Sequence, residues 1–507
     1  MGLKSRHLWV ISILLLSFLT QGIIGLCVEH RCDHSLHIRH AIRQCPERSH
    51  ERRATSDADS ANDAKFVIDL ECHATSKDEC DRVQETLAKA GKVISSHIEF
   101  KTPITVNASY LDFCRDLGEC DLTNGAINIG QAYPAVSYLM QKQSSADEAN
   151  ITSMYPQALL KQYDNLPKQP NWTAYDMNAQ FNSQIDWYFE GHGEIESDQS
   201  DFLNTVIHEF IHGLGFVSAW STATYERFSR YDTDMPKFLT PVPLSPPDEL
   251  EETSNNIDTG EGPQPFWGFV DFPLDQLMYT NDNISFSDVS LILNTWGSSN
   301  VMFASMMDMV NSWEASGKVQ AMARQMYSYA TSSNQVTWLL DNGDQYTSET
   351  SFKPFVDGSS LSHVDHDTYN DSSDYLMIYN ARRGVSLQEM SSKYDNYTLG
   401  PLLLRALANI GYNVTAFNDQ EVTMVTAVTQ PALEFWEPAI PMVGTAHNPS
   451  PSISTHTDGP AHIPTSSSSS SSSSTTSSSD SSACSSPSSA VTISMLLLVA
   501  ALFIFFL

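Results

Sequence analysis

Short runs of alternating apolar and polar residues, with the spacing typical of strands, occur at four places in the first part of the chain. They cover residues 66–70, 103–108, 126–129 and 184–189. Runs of this length, rich in β-branched and aromatic residues, are typical of strands in a half-buried sheet. The pattern therefore predicts a sheet whose strands precede residue 201.

Helical spacing of apolar residues appears in three further segments. One helix is predicted over Asp78–Ala90, with Val83 and Leu87 facing inward, and a second over Asp201–Phe216. From about 302 to 330 a stripe of methionines recurs at helical spacing, and we expect these side chains in the core. Strands and one helix ahead of the helix at 201–216 predict an α+β fold in which the sheet packs against that helix.

The first 25 residues have the pattern of a secretory signal peptide. Basic Lys4 and Arg6 precede an apolar run, and small residues follow it. Passage through the secretory route agrees with seven Asn-Xaa-Ser/Thr sequons, each a potential glycan acceptor. Their asparagines are Asn107, Asn150, Asn171, Asn283, Asn370, Asn396 and Asn413.

The end of the chain has the pattern of a GPI-attachment signal. From about Asn448 the sequence turns to Ser, Thr and Pro, so residues 446–483 are predicted to be an unfolded, O-glycosylated stalk. Residues 484–507 end in an uncharged apolar tail that such a signal would lose. A tail-anchored span is the alternative. Either interpretation places the protein on the extracellular face of the plasma membrane or in the cell wall.

Acidic residues outnumber basic ones by 60 to 28, which gives a formal net charge of −32. A surface of this sign argues against binding to nucleic acid and against electrostatic binding to anionic lipid. The simplest interpretation is a solvated acidic surface on a secreted, monomeric protein. Membrane attachment is therefore expected only through the anchor.

His208, Glu209 and His212 form a His-Glu-Xaa-Xaa-His motif on the second predicted helix. Histidines four residues apart lie on one helix face, and both rings can ligate one metal ion. Imidazole suits Zn²⁺, and the glutamate is then placed to act as general base on a zinc-activated water. The motif also occurs by chance in unrelated helices. Gly213 and Gly215 favour the functional interpretation, because glycine lets the helix end and the chain turn away.

A catalytic zinc usually has three protein ligands. The extended form of the motif puts a third histidine six residues after the second, where this chain has Ser218. The favoured third ligand is His363, which follows a turn-forming Gly-Ser-Ser segment and precedes Met377. Asp365 is a candidate to orient an imidazole. Weaker candidates for the third ligand are Glu226, Asp232 and His366, and poor ones at the stalk edge are His447, His456 and His462.

The cysteines suggest a pro-segment at residues 26–53, which ends in the dibasic pair Arg52-Arg53. Three cysteines precede this pair, so one thiol is left over that is able to ligate the zinc, to pair elsewhere or to be lost with the signal. The next four cysteines suggest two short-range bridges, although four cysteines allow three connectivities, and a cysteine-free stretch then runs up to Cys484. The suggested pairs are Cys72–Cys80 and Cys114–Cys120.

The motif around His208, the distant Ser362-His363 and the Leu376-Met377 pair resemble the leishmanolysin-type metalloproteases, within the metzincins. The His30-Arg31-Cys32 segment is similar to that family's propeptide, and the resemblance implies that Cys32 is a switch thiol. It also implies a zincin/metzincin-like fold over 54–445, with a mixed, twisted sheet and the active-site helix above the cleft and a mainly helical lower part. The similarity covers residues 126–133, 184–217, 357–387 and 399–412. The family's cysteine-rich C-terminal part is absent here, and the insertion after His212 is long.

The expected activity is that of a zinc-dependent endopeptidase acting on proteins or peptides, with His208, His212 and His363 as metal ligands and Glu209 as general base. The strand at 126–130 is expected to pair with an extended peptide substrate. Tyr379 either stabilises the oxyanion or is a packed aromatic residue. The alternative from another class is a catalytically inactive zincin that acts as a cell-surface adhesion or structural glycoprotein.

Overall fold

The fold is known from a computed structural model that describes residues 26–32, 38–44, 65–120, 127–142, 152–164, 166, 170, 172–244, 264–266, 268–296, 301–417 and 428–429. Its strands are β1 (Leu26–Cys32), β2 (Ile38–Gln44), β3 (Phe66–Cys72), β4 (Ile104–Leu111), β5 (Gly130–Pro134), β6 (Val136–Lys142), β7 (Thr152–Pro156), β8 (Met177–Asn182), β9 (Trp187–Tyr188), β10 (Ser200–Asp201), β11 (Val242–Pro243), β12 (Gln264–Phe266), β13 (Phe269–Val270), β14 (Met278–Thr280), β15 (Val301–Phe303), β16 (Val336–Leu339), β17 (Gln345–Thr347) and β18 (Val428–Thr429).

The helices are α1 (Lys77–His97), α2 (Phe113–Leu117), α3 (Gln157–Leu160), α4 (Phe202–Gly213), α5 (Ala223–Ser229), α6 (Phe286–Asn294), α7 (Met306–Ala315), α8 (Lys318–Ala330), α9 (His366–Tyr369), α10 (Leu387–Ser392) and α11 (Pro401–Ile410). Two short 3₁₀ helices cover Pro273–Leu277 and Tyr375–Met377. Helices and several small sheets coexist in the described residues, so the predicted α+β class is confirmed.

A mixed four-stranded sheet in the order β3-β4-β8-β5 carries the site. The first three strands are parallel, and the edge strand β5 is antiparallel to β8. Along β4, buried Ile104, Val106, Ala108 and Tyr110 alternate with half-buried polar residues, so one face of the sheet is apolar. Helices α1 and α4 pack against this sheet.

Helix α4 lies over the sheet because aromatic residues at both of its ends contact the strands. Phe210 stacks on Phe66 of β3, with ring centroids 5.6 Å apart. Phe202 packs edge-on against Phe181 of β8, at 5.3 Å between centroids. Gly213 allows the close approach of the helix end, since a Cβ there would lie 2.7 Å from Met177 Sδ. The helix is therefore fixed along its whole length.

A second sheet, in the order β18-β6-β1-β2 with β7 also paired to β6, contains the N-terminal strands. Val28 of β1 is fully buried in an apolar cluster with Leu139 and Phe272, and His30 Nε2 lies 2.8 Å from Ser137 Oγ. Residues 26–44 of the expected pro-segment thus include two strands of this sheet. The dibasic pair lies outside the described residues.

The segment between the two histidine-bearing regions builds a second part of the core. Helices α6, α7 and α8 and the small sheet β14-β16-β17 lie in it. Its centre is aromatic, with Phe238, Trp296 and Trp313 in contact; Phe238 and Trp313 are 4.7 Å apart between centroids. This segment is the long insertion after His212, for whose fold the resemblance gave no expectation.

Several predicted elements have other bounds in the structure. Where a strand was expected at 126–129, residue 126 is outside the described part and residues 127–129 are irregular. Strand β5 begins directly after them, at Gly130. The strand expected at 184–189 is reduced to β9, because the sheet takes β8 instead. The helix expected over 302–330 is two helices, separated at Gly317, whose φ of 55° a helix does not allow. Met309 and Trp313 are buried as expected.

Both expected disulfides are present, between Cys72 and Cys80 and between Cys114 and Cys120. Within the described residues, no helix combines the length and the apolar character that a bilayer span needs. The chain divides into a unit that ends at Gly444 and another that starts at Thr445. The predicted signal peptide, stalk and anchor signal all lie outside the described residues.

Candidate metal centre

The start of helix α4 is fixed by Asp201, whose side chain is buried. Its Oδ1 accepts a hydrogen bond from the Asn204 amide at 2.9 Å, as an N-cap residue does. Its Oδ2 accepts one from the Leu387 amide, at 2.7 Å, where helix α10 begins. One carboxylate therefore joins the two helix starts and sets the position of His208 and His212 further along α4.

Replacing Asp201 by alanine is expected to lower the free energy of unfolding by about 2–4 kcal/mol. The loss combines an N-cap, worth about 1 kcal/mol, with a buried Leu387 amide left without its acceptor, worth about 1–3 kcal/mol. Ser305, the N-cap of α7, is the matched control because it caps one helix only. Urea denaturation measures both variants, and an equal loss for Ser305→Ala would contradict the double role of Asp201.

The end of helix α4 brings a carbonyl back to the second histidine. The Gly215 amide donates to His212 O and the Phe216 amide to Ile211 O, with Gly215 at a φ of 110°. This is the Schellman arrangement, which glycine adopts without steric cost. It places Phe216 O 2.7 Å from His212 Nδ1. The predicted role of glycine in ending the helix is confirmed for Gly215, whereas Gly213 is the last residue of the helix and packs against Met177.

His363 reaches the same place from a segment that is pinned on both sides. The Glu349 amide donates to His363 O, and the Val364 amide donates to Met377 O, both within 2.9 Å. Ser362 Oγ accepts from the amide of Ser218, the residue that stands where the extended motif would have its third histidine. The contacts of its two neighbours therefore hold His363 against the helix end.

The three histidines converge on one point. Their Nε2 atoms are 3.1 Å apart between His208 and His212, 3.1 Å between His208 and His363, and 3.2 Å between His212 and His363. Among the described residues, these three side chains place their ring nitrogens close enough together to hold one metal ion. The structure brings together the three histidines that the sequence analysis selected.

Backbone carbonyls fix the tautomer of all three rings. Nδ1 of His208 lies 2.7 Å from Leu376 O, that of His212 2.7 Å from Phe216 O, and that of His363 3.1 Å from Ser359 O. A carbonyl oxygen only accepts, so each Nδ1 carries the proton and each Nε2 presents a lone pair. Three lone pairs then face one another with no proton between them, an arrangement that repels unless a cation is present.

Protonation does not relieve this repulsion easily. Burial lowers the pKa of His208 to about 4 and that of His212 to about 3. Burial, with the two neighbouring rings, also holds the pKa of His363 well below its usual value. The rings are therefore neutral at pH 7 and in the state that a metal ion requires.

Glu209 lies beside this group and under the edge strand of the sheet. Its side chain is 6% exposed, and the Ala132 amide of β5 donates to its carboxylate. Burial raises the pKa of Glu209 to about 8. Gly130 permits the close contact, because a Cβ there would lie 3.3 Å from Glu209 Cγ. A buried carboxyl group with a raised pKa, beside a candidate metal centre, is suited to accept and return a proton.

The other candidate ligands lie elsewhere. Glu226 accepts from Thr222 Oγ1, Asp232 from the Asp234 amide, and His366 contacts Asp367. The expected role of Asp365 in orienting an imidazole is wrong. Its carboxylate caps helix α9 by accepting from the Thr368 amide, at 2.8 Å, and carbonyls orient the rings instead. His447, His456 and His462 are outside the described residues.

The predictions for Tyr379 and Cys32 have different outcomes. Tyr379 packs edge-on against Phe352, with centroids 4.7 Å apart, and against His366 at 5.5 Å, which favours the packed interpretation. Its side chain is 39% exposed, so the packing is at the surface. The side chain of Cys32, at the end of β1, is outside the described part, so its role as a switch thiol stays a prediction.

Sequence reasoning missed the carbonyls of Phe216, Ser359 and Leu376 and the double role of Asp201. Only Phe216 had a usable signal, since Gly215 predicts a helix end that turns the next carbonyl back. Every residue supplies a carbonyl, so the side-chain sequence carries no mark of the other two. Leu376 precedes buried Met377 in the 3₁₀ helix Tyr375–Met377.

Comparison with known proteins gives a family and one distant relative. Over 355 residues the chain is 24% identical to a Schizosaccharomyces pombe (strain 972 / ATCC 24843) protein named "Uncharacterized protein PB7E8.01"; the match covers 66% of this chain and 59% of that protein. The chain thus spans less than two thirds of the relative's length. No solved structure matches it. The model of the SPBPB7E8-like family matches residues 27–456, and the chain belongs to that family.

Proposed function

We propose that this protein is a zinc-dependent endopeptidase of the cell surface, similar to the leishmanolysin-type metzincins. The observation that carries the proposal is the convergence of three Nε2 lone pairs, each fixed by a carbonyl behind its ring. Nitrogen ligands at 2.0–2.1 Å from a tetrahedral zinc lie about 3.3 Å apart. The measured separations of 3.1–3.2 Å are close to this value. The donor set therefore fits Zn²⁺, which His208, His212 and His363 would hold.

The architecture around the histidines supports a metzincin-like fold. A mixed sheet with an antiparallel edge strand lies over α4, and the chain turns away after the second histidine to reach a distant third. Met377 is fully buried, next to the carbonyl that His208 contacts. These features are the ones that the resemblance implies, and they support its extension to the fold.

The proposed chemistry is hydrolysis of a peptide bond. A bound zinc ion would supply a Lewis acid that lowers the pKa of a water molecule towards ~7. Glu209 accepts the proton as this water attacks the scissile carbonyl and then returns it to the leaving amine. The Ala132 amide, which donates to the Glu209 carboxylate, holds this side chain in place between the two transfers.

The proposed substrate is an extended segment of a protein. Strand β5 pairs with β8 on one side, and residues 130–134 are at the edge of the described four-stranded sheet. A Cβ at Gly130 of this edge strand would lie 3.3 Å from Glu209 Cγ, so the edge is in contact with the Glu209 side chain. A peptide added as a further antiparallel strand would lie across the metal centre. Secretion and the GPI anchor complete the proposal and place the cleft outside the cell.

Metal content and proteolysis, measured on the same preparation, test this proposal. We expect one equivalent of zinc per folded chain and hydrolysis of casein that a chelator abolishes and added zinc restores. Zinc without hydrolysis would favour the inactive adhesion protein, in which the metal is structural. A folded chain that binds no zinc after dialysis against it would refute both the metal centre and the peptidase activity.

A further inference from the structure

Five of the seven sequon asparagines lie in the described residues, and the structure divides them into two groups. Asn283 and Asn396 are exposed, and each is at the left-handed position of a turn, with φ of 59° and 63°. Asn107, Asn370 and Asn413 are half-buried, and their carboxamides make hydrogen bonds within the fold. The difference matters because a glycan is attached to the carboxamide nitrogen.

The backbone, not the side chain, holds the two exposed asparagines in place. The Asn283 amide donates to Thr280 O at 2.8 Å, which closes the turn between β14 and α6. The Asn396 amide donates to Ser391 O at 2.9 Å, just after helix α10. Neither carboxamide has a hydrogen-bond partner among the described residues, and asparagine tolerates this left-handed backbone. A substituent on Nδ2 would therefore disturb no contact of the fold.

The other carboxamides make hydrogen bonds to side chains of neighbouring elements. Asn107 Nδ2 donates to Asn178 Oδ1 at 2.9 Å, between the two central strands of the sheet. Asn413 Nδ2 donates to Glu99 Oε2 at 2.6 Å and so ties the end of α11 to the end of α1. Asn370 Oδ1 accepts from Arg382 Nε at 3.0 Å. A bulky glycan at Asn107 or Asn413 would compete with these hydrogen bonds.

We propose that Asn283 and Asn396 carry N-linked glycans in the mature protein and that Asn107 and Asn413 do not. In the transfer, the carboxamide nitrogen forms a bond to the anomeric carbon of a polyisoprenyl-diphosphate oligosaccharide. The bond from that carbon to the diphosphate oxygen breaks, the lipid diphosphate leaves, and Nδ2 loses one proton. This inference rests on passage through the secretory route, which is part of the proposed function.

Glycopeptide mass spectrometry of the full chain, secreted by a eukaryotic host, tests the assignment. Enzymatic release in ¹⁸O water marks each occupied asparagine as labelled aspartate. We expect the label at Asn283 and Asn396 and none at Asn107 or Asn413. Label at Asn107 or Asn413, or its absence from either Asn283 or Asn396, would overturn the assignment.

Aspartate variants give a second measurement of which asparagines carry glycans. A chain with another signal peptide separates this glycan assignment from the proposed secretion. Asn283→Asp and Asn396→Asp keep the side-chain shape, and each should remove one glycan step on a gel, whereas Asn107→Asp should remove none. The same chain with a heterologous signal in place of residues 1–25 guarantees entry to the secretory route. If Asn283 and Asn396 carry glycans only in the chain with the heterologous signal, the site assignment is supported and residues 1–25 are not a functional signal peptide. This result would not affect the zinc and casein measurements.

Discussion

Replacing Glu209 by glutamine is expected to give a folded, zinc-containing protein whose peptide hydrolysis is lower by about 10²–10⁴-fold, the usual contribution of a positioned general base. Glutamine has the same shape, and its oxygen still accepts from the Ala132 amide. The change therefore removes the ability to take a proton and leaves the packing of a side chain that is 6% exposed. Zinc analysis, circular dichroism and a quenched-peptide assay measure the three properties separately.

Glu226→Gln is the matched control for this experiment. Glu226 is on the next helix, its Oε1 accepts from Thr222 Oγ1 at 3.1 Å, and it is one of the acids that the sequence offered as a metal ligand. We expect unchanged zinc content and unchanged hydrolysis in this variant. An active Glu209→Gln protein would remove Glu209 from the role of general base, and an inactive Glu226→Gln protein would point to a different centre.

Replacing His363 by alanine is expected to empty the centre of zinc. The variant loses one of three nitrogen ligands, and the remaining two on helix α4 cannot hold a tetrahedral ion alone. Loss of a residue that hydrogen-bonds a metal ligand commonly lowers metal affinity by about 10–100-fold. Loss of the ligand itself should therefore lower the zinc affinity by at least about 100-fold. Zinc content after dialysis and a competition titration with a chromogenic chelator measure the effect.

His366→Ala is the matched control for the third ligand. His366 lies three residues further on, its ring contacts Asp367, and it is outside the described group of converging histidines. The control should retain zinc, and the His363→Ala protein should retain its helix content. If His363→Ala kept full zinc affinity while His366→Ala lost it, the third ligand would have been assigned to the wrong histidine.

The sequence predicted the site more fully than the fold. His208, Glu209 and His212 lie within five consecutive residues of one helix, so the common face of the two histidines follows from helix geometry alone. The strand β8 was missed although it contributes buried Met177, Ala179 and Phe181 to the sheet. Its sequence interleaves them with asparagine and glutamine, and the nearby 184–189 segment shows a stronger apolar pattern. Which of the two joins the sheet depends on pairing with β4, whose partners in β8 are 71 residues further along the chain.

Local sequence determined helix α4, its histidine pair, the glycine that ends it and the short-range disulfides, because each depends on residues a few positions apart. The tertiary structure decided how His363 reaches the pair from 151 residues away, and which carbonyls set the proton on each ring. It also decided that Asp365 caps a helix instead of orienting a ligand. These outcomes depend on backbone atoms that all residues share and on loops closed over long distances, so side-chain identity in the sequence does not encode them locally.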